Sequence, residues 1–295
     1  MSYKVEILEQ LVQAAVAVDG AAPKIYWHLI DKQRIKPWNF WLCDEEKLIA
    51  FFAAYEFTEK TVEITGVVHP EYRRENLFKN FLNSFLRDNP GIGKVLLVGA
   101  NAFSTERAMK KLGARCVDTE FEMFVIPAKA VLSPLRKQGP IMNHEKMDPR
   151  FRGDDGVGSG NDSSLQLADL DGLPELLRID LACFGGSAPE TKANLQESLQ
   201  DPQRRIYLFY VENKAVGKIH LRFEGDTIFL SDIGILPEFQ GQGLGTKMFQ
   251  SLFALFQDHK NTEFYLNVHA LNPQALVLYE RLGFVVKNEY RYYSL

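Results

Sequence analysis

The chain has 295 residues, a length for one large domain or two ordinary ones. Its hydrophobic share of 46% suffices for a buried core, and no apolar run approaches the ~18 residues of a membrane span. The formal net charge of −4 gives no electrostatic reason to expect nucleic acid as a partner. Cys43, Cys116 and Cys183 are far apart and odd in number. They suggest neither a disulfide framework nor a metal site, and predict three reduced, mostly buried thiols in a cytoplasmic protein. Lys4, Glu6 and Glu9 break up the apolar residues of the first ten, which therefore do not read as a signal peptide.

Trp38 to Leu42 and Leu48 to Phe57 predict a hairpin, and Thr61 to His69 a strand. After Pro70 a helix is expected to run to Leu86, followed by a strand from Lys94 to Val98. Thr105 to Leu112 reads as a helix stopped by Gly113, and Arg115 to Val125 as a closing strand. From 131 to 164 the chain is rich in Gly, Pro, Asp and charge without periodicity, so it reads as a flexible linker. Within it, Met147 to Gly156 resembles translated intergenic repeat sequence.

Leu165 to Ala168 reads as a short strand, and Leu173 to Cys183 as a helix with Asp171 at its N-cap. A second helix is expected from Pro189 to Leu199. Ile206 to Val211 and Ala215 to Phe223 form a hairpin turning at Glu212-Asn213-Lys214, and Thr227 to Leu236 is a long strand. Glu263 to Val268 is another strand. Pro273 to Leu282 is a helix with Asn272 at its N-cap and Gly283 after its end. Phe284 to Tyr293 is the last strand or strand pair. Pro70 matches Pro237 and Gly113 matches Gly283, at offsets of 167 and 170 with the same element order between. That pattern argues for a tandem duplication.

Between the Thr227–Leu236 strand and the helix after it lies Gln240-Gly241-Gln242-Gly243-Leu244-Gly245-Thr246. Alternating glycines let a backbone approach a ligand and turn its amides inward, and a helix start adds unpaired N–H groups. Strand, loop and helix together make a pyrophosphate cradle. A Walker A loop would need Lys-Ser/Thr directly after its last glycine, and Thr246-Lys247 does not supply that order. A dinucleotide fingerprint would sit in an early βαβ unit, whereas this loop comes late in a mostly antiparallel order.

Gln240-Gly241-Gln242-Gly243-Leu244-Gly245, followed by Asn272-Pro273-Gln274-Ala275 with Tyr279 and Gly283-Phe284, resembles the paired signatures of the GNAT superfamily of acetyl-CoA-dependent N-acyltransferases. The resemblance implies an α+β fold (a mixed α/β sheet). It implies two GNAT-like domains, 1–130 and 165–295, each a mostly antiparallel central sheet flanked by helices. The second domain is implied to be the catalytic N-acetyltransferase. In the first, Asn76, Phe78 and Met109 stand where Gly243, Gly245 and Tyr279 stand in the second, so that copy is read as degenerate.

The resemblance further implies acetyl-CoA as acyl donor and an amine as acceptor, with no metal. The implied cofactor contacts are backbone groups of Ile235 and Leu236, the loop Gln240, Gly241, Gln242, Gly243, Leu244, Gly245 and Thr246, and Asn272. Tyr279 stands at the family's acid position, to stabilise the leaving sulfur by hydrogen bonding or to transfer its proton late. The ending Arg291-Tyr292-Tyr293 resembles the ribosomal-protein alanine acetyltransferases, but Asn267 replaces their base glutamate. Asp232 is the preferred substitute, His220 and His269 the weaker ones, and Glu238 a solvated turn residue. The acceptor pocket is expected near Phe184-Gly185-Gly186-Ser187. An enzyme acting as monomer or homodimer, with neither membrane nor nucleic acid as partner, is the leading reading. A non-catalytic acyl-CoA-binding or sensing module is the alternative.

Overall fold

The computed structural model describes residues 3–32, 36–58, 60–127, 163–259 and 262–295. All of the expected linker except Ser163 and Ser164 lies outside the described residues; those two open a strand. The chain divides into two compact units.

The first unit begins with α1 (Tyr3–Asp19), to which the sequence patterns assign no element. Leu8, Leu11 and Ala15 recur at helical spacing and are buried, giving α1 one inward face. Five strands follow along the chain: β1 (Asn39–Asp44), β2 (Lys47–Thr58), β3 (Thr61–Val68), β4 (Lys94–Ala100) and β5 (Arg115–Val125). Helix α2 (Leu77–Asp88) lies between β3 and β4, and α3 (Phe103–Leu112) between β4 and β5. One core cluster joins α1 to β2 and β3 through Leu11, Phe51 and Val67. Another joins Ile64 and Leu97 to Leu82, Phe85 and Met109 of α2 and α3. The sheet is therefore covered by helices on both faces.

The second unit runs β6 (Ser163–Leu167), α4 (Leu173–Phe184), α5 (Ala188–Gln200), β7 (Arg204–Val211), β8 (Lys214–Glu224), β9 (Thr227–Ile235), α6 (Leu244–Leu255), β10 (Glu263–His269) and α7 (Pro273–Arg281). Its strands lie in the order β10-β9-β8-β7-β6. All neighbours are antiparallel except β9 and β10, which are parallel. Glu212 and Asn213 both adopt positive φ between β7 and β8, as a tight two-residue hairpin requires. Phe249, Phe253, Phe264 and Phe284 pack ring against ring under α6.

Three expectations are corrected. The first is the domain boundary. The last strand, β11 (Val285–Ser294), is expected in the second half, but from Val286 it belongs to the first unit, with Val268–Asn272. It pairs antiparallel with β4, Tyr292 opposite Val98, and completes the order β1-β2-β3-β4-β11-β5. Tyr290 and Tyr292 are buried there with Val98, while Tyr293 packs against Ile64 and Leu97 on the other face. Apolar residues on both faces suit a central strand, and that is the position β11 takes.

The second concerns the thiols. Cys43 and Cys116 are exposed and Cys183 is half-buried. The third is the cap of α4. Gly172, not Asp171, holds the N-cap position, and the Asp169 carboxylate accepts from the amides of Asp171 and Gly172. Among the described residues no helix is long and apolar enough to cross a membrane.

Candidate active site

The β9–β10 ladder ends at Leu230 opposite Leu266, with Ser231 to Ile235 of β9 still to come. Beyond that point β9 is paired only on its β8 side. Leu236 N–H donates to Val216 O at 2.8 Å, which makes Leu236 and Val216 a hydrogen-bonded pair. The preceding pair, Ile235 and Gly217, is then of the non-bonded kind, so the Ile235 N–H and C=O point away from β8 into the gap. The Gln240 side-chain amide donates to Ile235 O at 2.8 Å. Of the two residues expected to offer backbone groups, Leu236 has committed its N–H to the sheet, whereas that of Ile235 points into the gap.

The loop after β9 makes one 3-10 turn, Pro237–Phe239, and then two left-handed positions, Gly241 and Gly243, both at φ +73. Among the described residues a Cβ added at either would meet nothing within 4 Å, so the space above them is open. Gly243 is the N-cap of α6 and supplies no side chain to satisfy the first amides. The N–H groups of Leu244, Gly245 and Thr246 have no acceptor within the helix, as at any helix start. Gly245 serves packing instead, since a Cβ there would come within 3.2 Å of Leu278, and its absence lets α7 lie close to α6. An anionic group fits this cradle of open space, free amides and helix dipole.

Tyr279 on α7 is 7% exposed and packs edge-on against Phe249 and beside Phe284. Burial pushes its phenol up to about 12. Its hydroxyl has no hydrogen-bond partner among the described residues. Asn272 stands directly before α7, its backbone N–H donating to His269 O at 2.9 Å.

Asp232 lies in a β-bulge: the β8–β9 register shifts between Lys218 and His220, and Asp232 adopts φ +48. Its half-exposed side chain accepts from Ser231 Oγ at 2.8 Å and lies 3.4 Å from His220 Nδ1. His220 and Lys218 hold its carboxyl below the usual carboxylate range against the opposing effect of burial. A cavity of about 440 Å³ opens here, lined among others by Asp180, Phe184, Glu197, Arg204, His220 and Asp232. Gly185 and Gly186, both at positive φ, carry the chain past its rim, where the acceptor pocket was expected.

Sequence reasoning missed Lys218, which is fully buried with its Nζ 2.5 Å from Asp180 Oδ1 and 2.9 Å from His220 Nε2. The signal was a lysine two residues from a histidine within an apolar strand, where both share a face. His269 belongs to the first unit, where its Nδ1 lies 2.8 Å from Asp118 Oδ2. Among the described residues Asn267 Oδ1 is buried without a hydrogen-bond partner.

The first unit repeats the cradle backbone. A 3-10 turn, Pro70–Tyr72, leads to Arg73 at φ −73, ψ 155, matching Gln240 at φ −70, ψ 162. Arg74 at φ +78 and Asn76 at φ +60 take the left-handed places of Gly241 and Gly243. Arg73 Nε donates to Val68 O as Gln240 does to Ile235 O, and its other nitrogens pair bidentately with Asp19 at 2.8 Å. The β3–β4 ladder likewise stops short, at Thr65 opposite Val98. Phe78, in the place of Gly245, turns its ring onto Phe52 and Phe81. A cavity of about 500 Å³ lies over this loop.

Residues 173–284 match the model of the Acetyltransferase (GNAT) family. The chain is 30% identical over 118 residues to N-alpha-acetyltransferase 30 of Schizosaccharomyces pombe, across 34% of this chain and 79% of that one. It is 35% identical over 65 residues to thialysine N-epsilon-acetyltransferase of Sus scrofa, covering 22% of this chain and only 38% of that relative. A tandem GNAT protein from the clavulanic acid biosynthesis pathway superposes with a TM-score of 0.69 at 10% identity, over 99% of this chain and 94% of that one. With a glycine cradle at the end of a strand that outruns its ladder, a buried tyrosine on α7, and these likenesses, the chain belongs to the GNAT acetyltransferase family.

Proposed function

We propose that this protein is an acetyl-CoA-dependent N-acetyltransferase whose second unit acetylates a primary amine while donor and acceptor are bound together. The observation that carries this reading is the geometry at the end of β9. The Ile235 N–H faces the gap beyond the β9–β10 ladder, and the open cradle follows directly. Acetyl-CoA supplies the activated acetyl thioester.

The amides of Gln242 to Thr246, with the α6 dipole, hold its pyrophosphate. Ile235 N–H is placed to donate to the carbonyl oxygen as negative charge develops there. In the reaction the amine nitrogen bonds the acetyl carbon, the carbon–sulfur bond breaks, and the amine loses a proton while the sulfur gains one.

Asp232 receives the acceptor as an ammonium. A carboxylate held below its usual range is a good anchor for a cation, and its half-exposed position lets the released proton pass to solvent. Tyr279 faces the leaving sulfur. With its phenol pushed up to about 12, full transfer to a thiolate of pKa ~8.5 is uphill by roughly 5 kcal/mol, so Tyr279 acts as a hydrogen-bond donor to the sulfur. The test is acetyl-CoA-dependent thiol release against pooled amines, amino acids and peptides. Transfer to at least one amine is expected, and Asp232→Asn should raise the KM for that amine. Tight acetyl-CoA binding without transfer to any pool would overturn the reading.

A further inference from the structure

We propose that Lys218 is a positioning residue that acts through His220 to fix the Asp232 carboxylate in the acceptor pocket. The proposal rests on the acetyltransferase reading of that pocket. Four side chains from three elements form one chain of contacts: Asp180 on α4, Lys218 and His220 on β8, and Asp232 on β9.

Its polarity follows from donor counting. An ammonium has three donors and no acceptor. Lys218 directs one to Asp180 Oδ1 and another to His220 Nε2 at 2.9 Å. His220 Nε2 must therefore accept, which leaves the imidazole proton on Nδ1. That nitrogen lies 3.4 Å from Asp232 Oδ2. Lys218 thus selects the tautomer that presents N–H to the carboxylate. Second-layer partners of histidines at other sites set the ring proton in the same way.

The surroundings keep this arrangement in one state. Lys218 is 0% exposed and His220 7%, and the Phe184 ring closes over the ammonium at 5.4 Å. The charged and titratable neighbours include Asp180 and Cys183 from α4 and Arg204 from β7, and Glu197 of α5 and Asp201 line the same cavity. Burial, with Lys218 second and Arg204 adding to it, depresses the His220 imidazole to about 3 against the pull of Asp232, so the ring stays neutral at working pH. A buried ion pair is seldom the most stabilising way to fill a core, and apolar residues of similar volume often do as well or better. Joining α4 to β8 does not call for Lys218; holding a tautomer does.

The decisive readout is the 15N spectrum of the His220 ring in the full chain. In the wild type, Nδ1 should carry the proton at pH 7, with no titration between pH 5 and 8. In Lys218→Met combined with Asp180→Asn, which leaves no lone buried charge, the ring should lose its preference for Nδ1–H and take up a second proton at higher pH than in the wild type, although its burial remains. The same variant should lose at least tenfold in kcat/KM for the amine and shift its pH profile from that of the wild type, while the KM for acetyl-CoA holds. An Nε2–H tautomer in the wild type would overturn the proposal without any variant. So would a folded double variant whose kcat/KM and pH profile stay within twofold of wild type. If the wild type transfers acetyl to no amine, the enzyme reading fails, and the tautomer with its response to Lys218 still decides the relay.

Discussion

Gly243→Asn separates what the cradle needs for folding from what it needs for binding. Gly243 sits at φ +73, and its counterpart in the first unit, at φ +60, is Asn76. Asparagine is the side chain that best tolerates this region, where most L-residues lose roughly 1–2 kcal/mol. No heavy atom of the described residues lies within 4 Å of an added Cβ, so there is no packing penalty to add. The expected loss of stability is therefore at most about 1 kcal/mol, read from urea unfolding. Binding should suffer far more, because the new amide group enters the open space above the α6 amides. We expect acetyl-CoA affinity by calorimetry to fall at least tenfold, about 1.4 kcal/mol. A stability loss well above 2 kcal/mol would mean that the glycine serves the fold. Unchanged affinity would mean that the cradle does not hold the pyrophosphate.

Other outcomes follow from the same geometry. Tyr279→Phe should lower turnover at least tenfold while acetyl-CoA still binds; equal turnover would remove Tyr279 from the chemistry. His220 is depressed to about 3 from an ordinary 6.5, so the unfolded chain takes up the proton first. Stability is then full above pH 6.5 and falls as the pH drops from 6.5 toward 3. Between pH 7.5 and 5 the wild type should lose about 2 kcal/mol more than His220→Gln, at 1.36 kcal/mol per unit below 6.5. Equal losses in the two proteins would show that His220 is not held neutral. Asp232→Asn keeps a residue suited to φ +48 and should leave the protein folded, with a raised KM for the amine. Asp232→Ala should also lose stability from backbone strain, visible as a lower urea midpoint, and a midpoint equal to that of Asp232→Asn would argue against strain at the bulge.

Much of the second unit was legible because its signals are local. Pro237, the spaced glycines, Pro273 and Gly283 each mark a turn or a helix end within a few residues. The N-cap of α4 was missed by position, since Asp169 satisfies the amides of Asp171 and Gly172 from outside the helix. The partner of β11 was not legible. Its pattern shows that both faces are covered but not which sheet covers them, and strand pairing over such a separation leaves no local trace. The first-unit loop was legible only in part. Asn76 and Phe78 suggest a lost cradle, yet the left-handed backbone of the loop is kept, at Arg74 and Asn76. The turn is imposed by the strand before it, the helix after it and the Arg73–Asp19 pair, and glycine is only the easiest residue to put there. The link from Lys218 to Asp232 was hidden because a bulge, invisible in the pattern, sets which side chains meet.

The place of β11 also has a consequence for synthesis. The first unit's sheet needs residues 286–294 between β4 and β5, and these are made about 160 residues after β5 ends. At about 5–20 residues per second, a ribosome that has finished β5 works for roughly 8–33 seconds before β11 exists. Through that interval β4 and β5 each carry an unpaired edge, the kind of surface that recruits other strands. A nascent chain stalled near residue 280 should therefore be a better client for holding chaperones than one extended past β11.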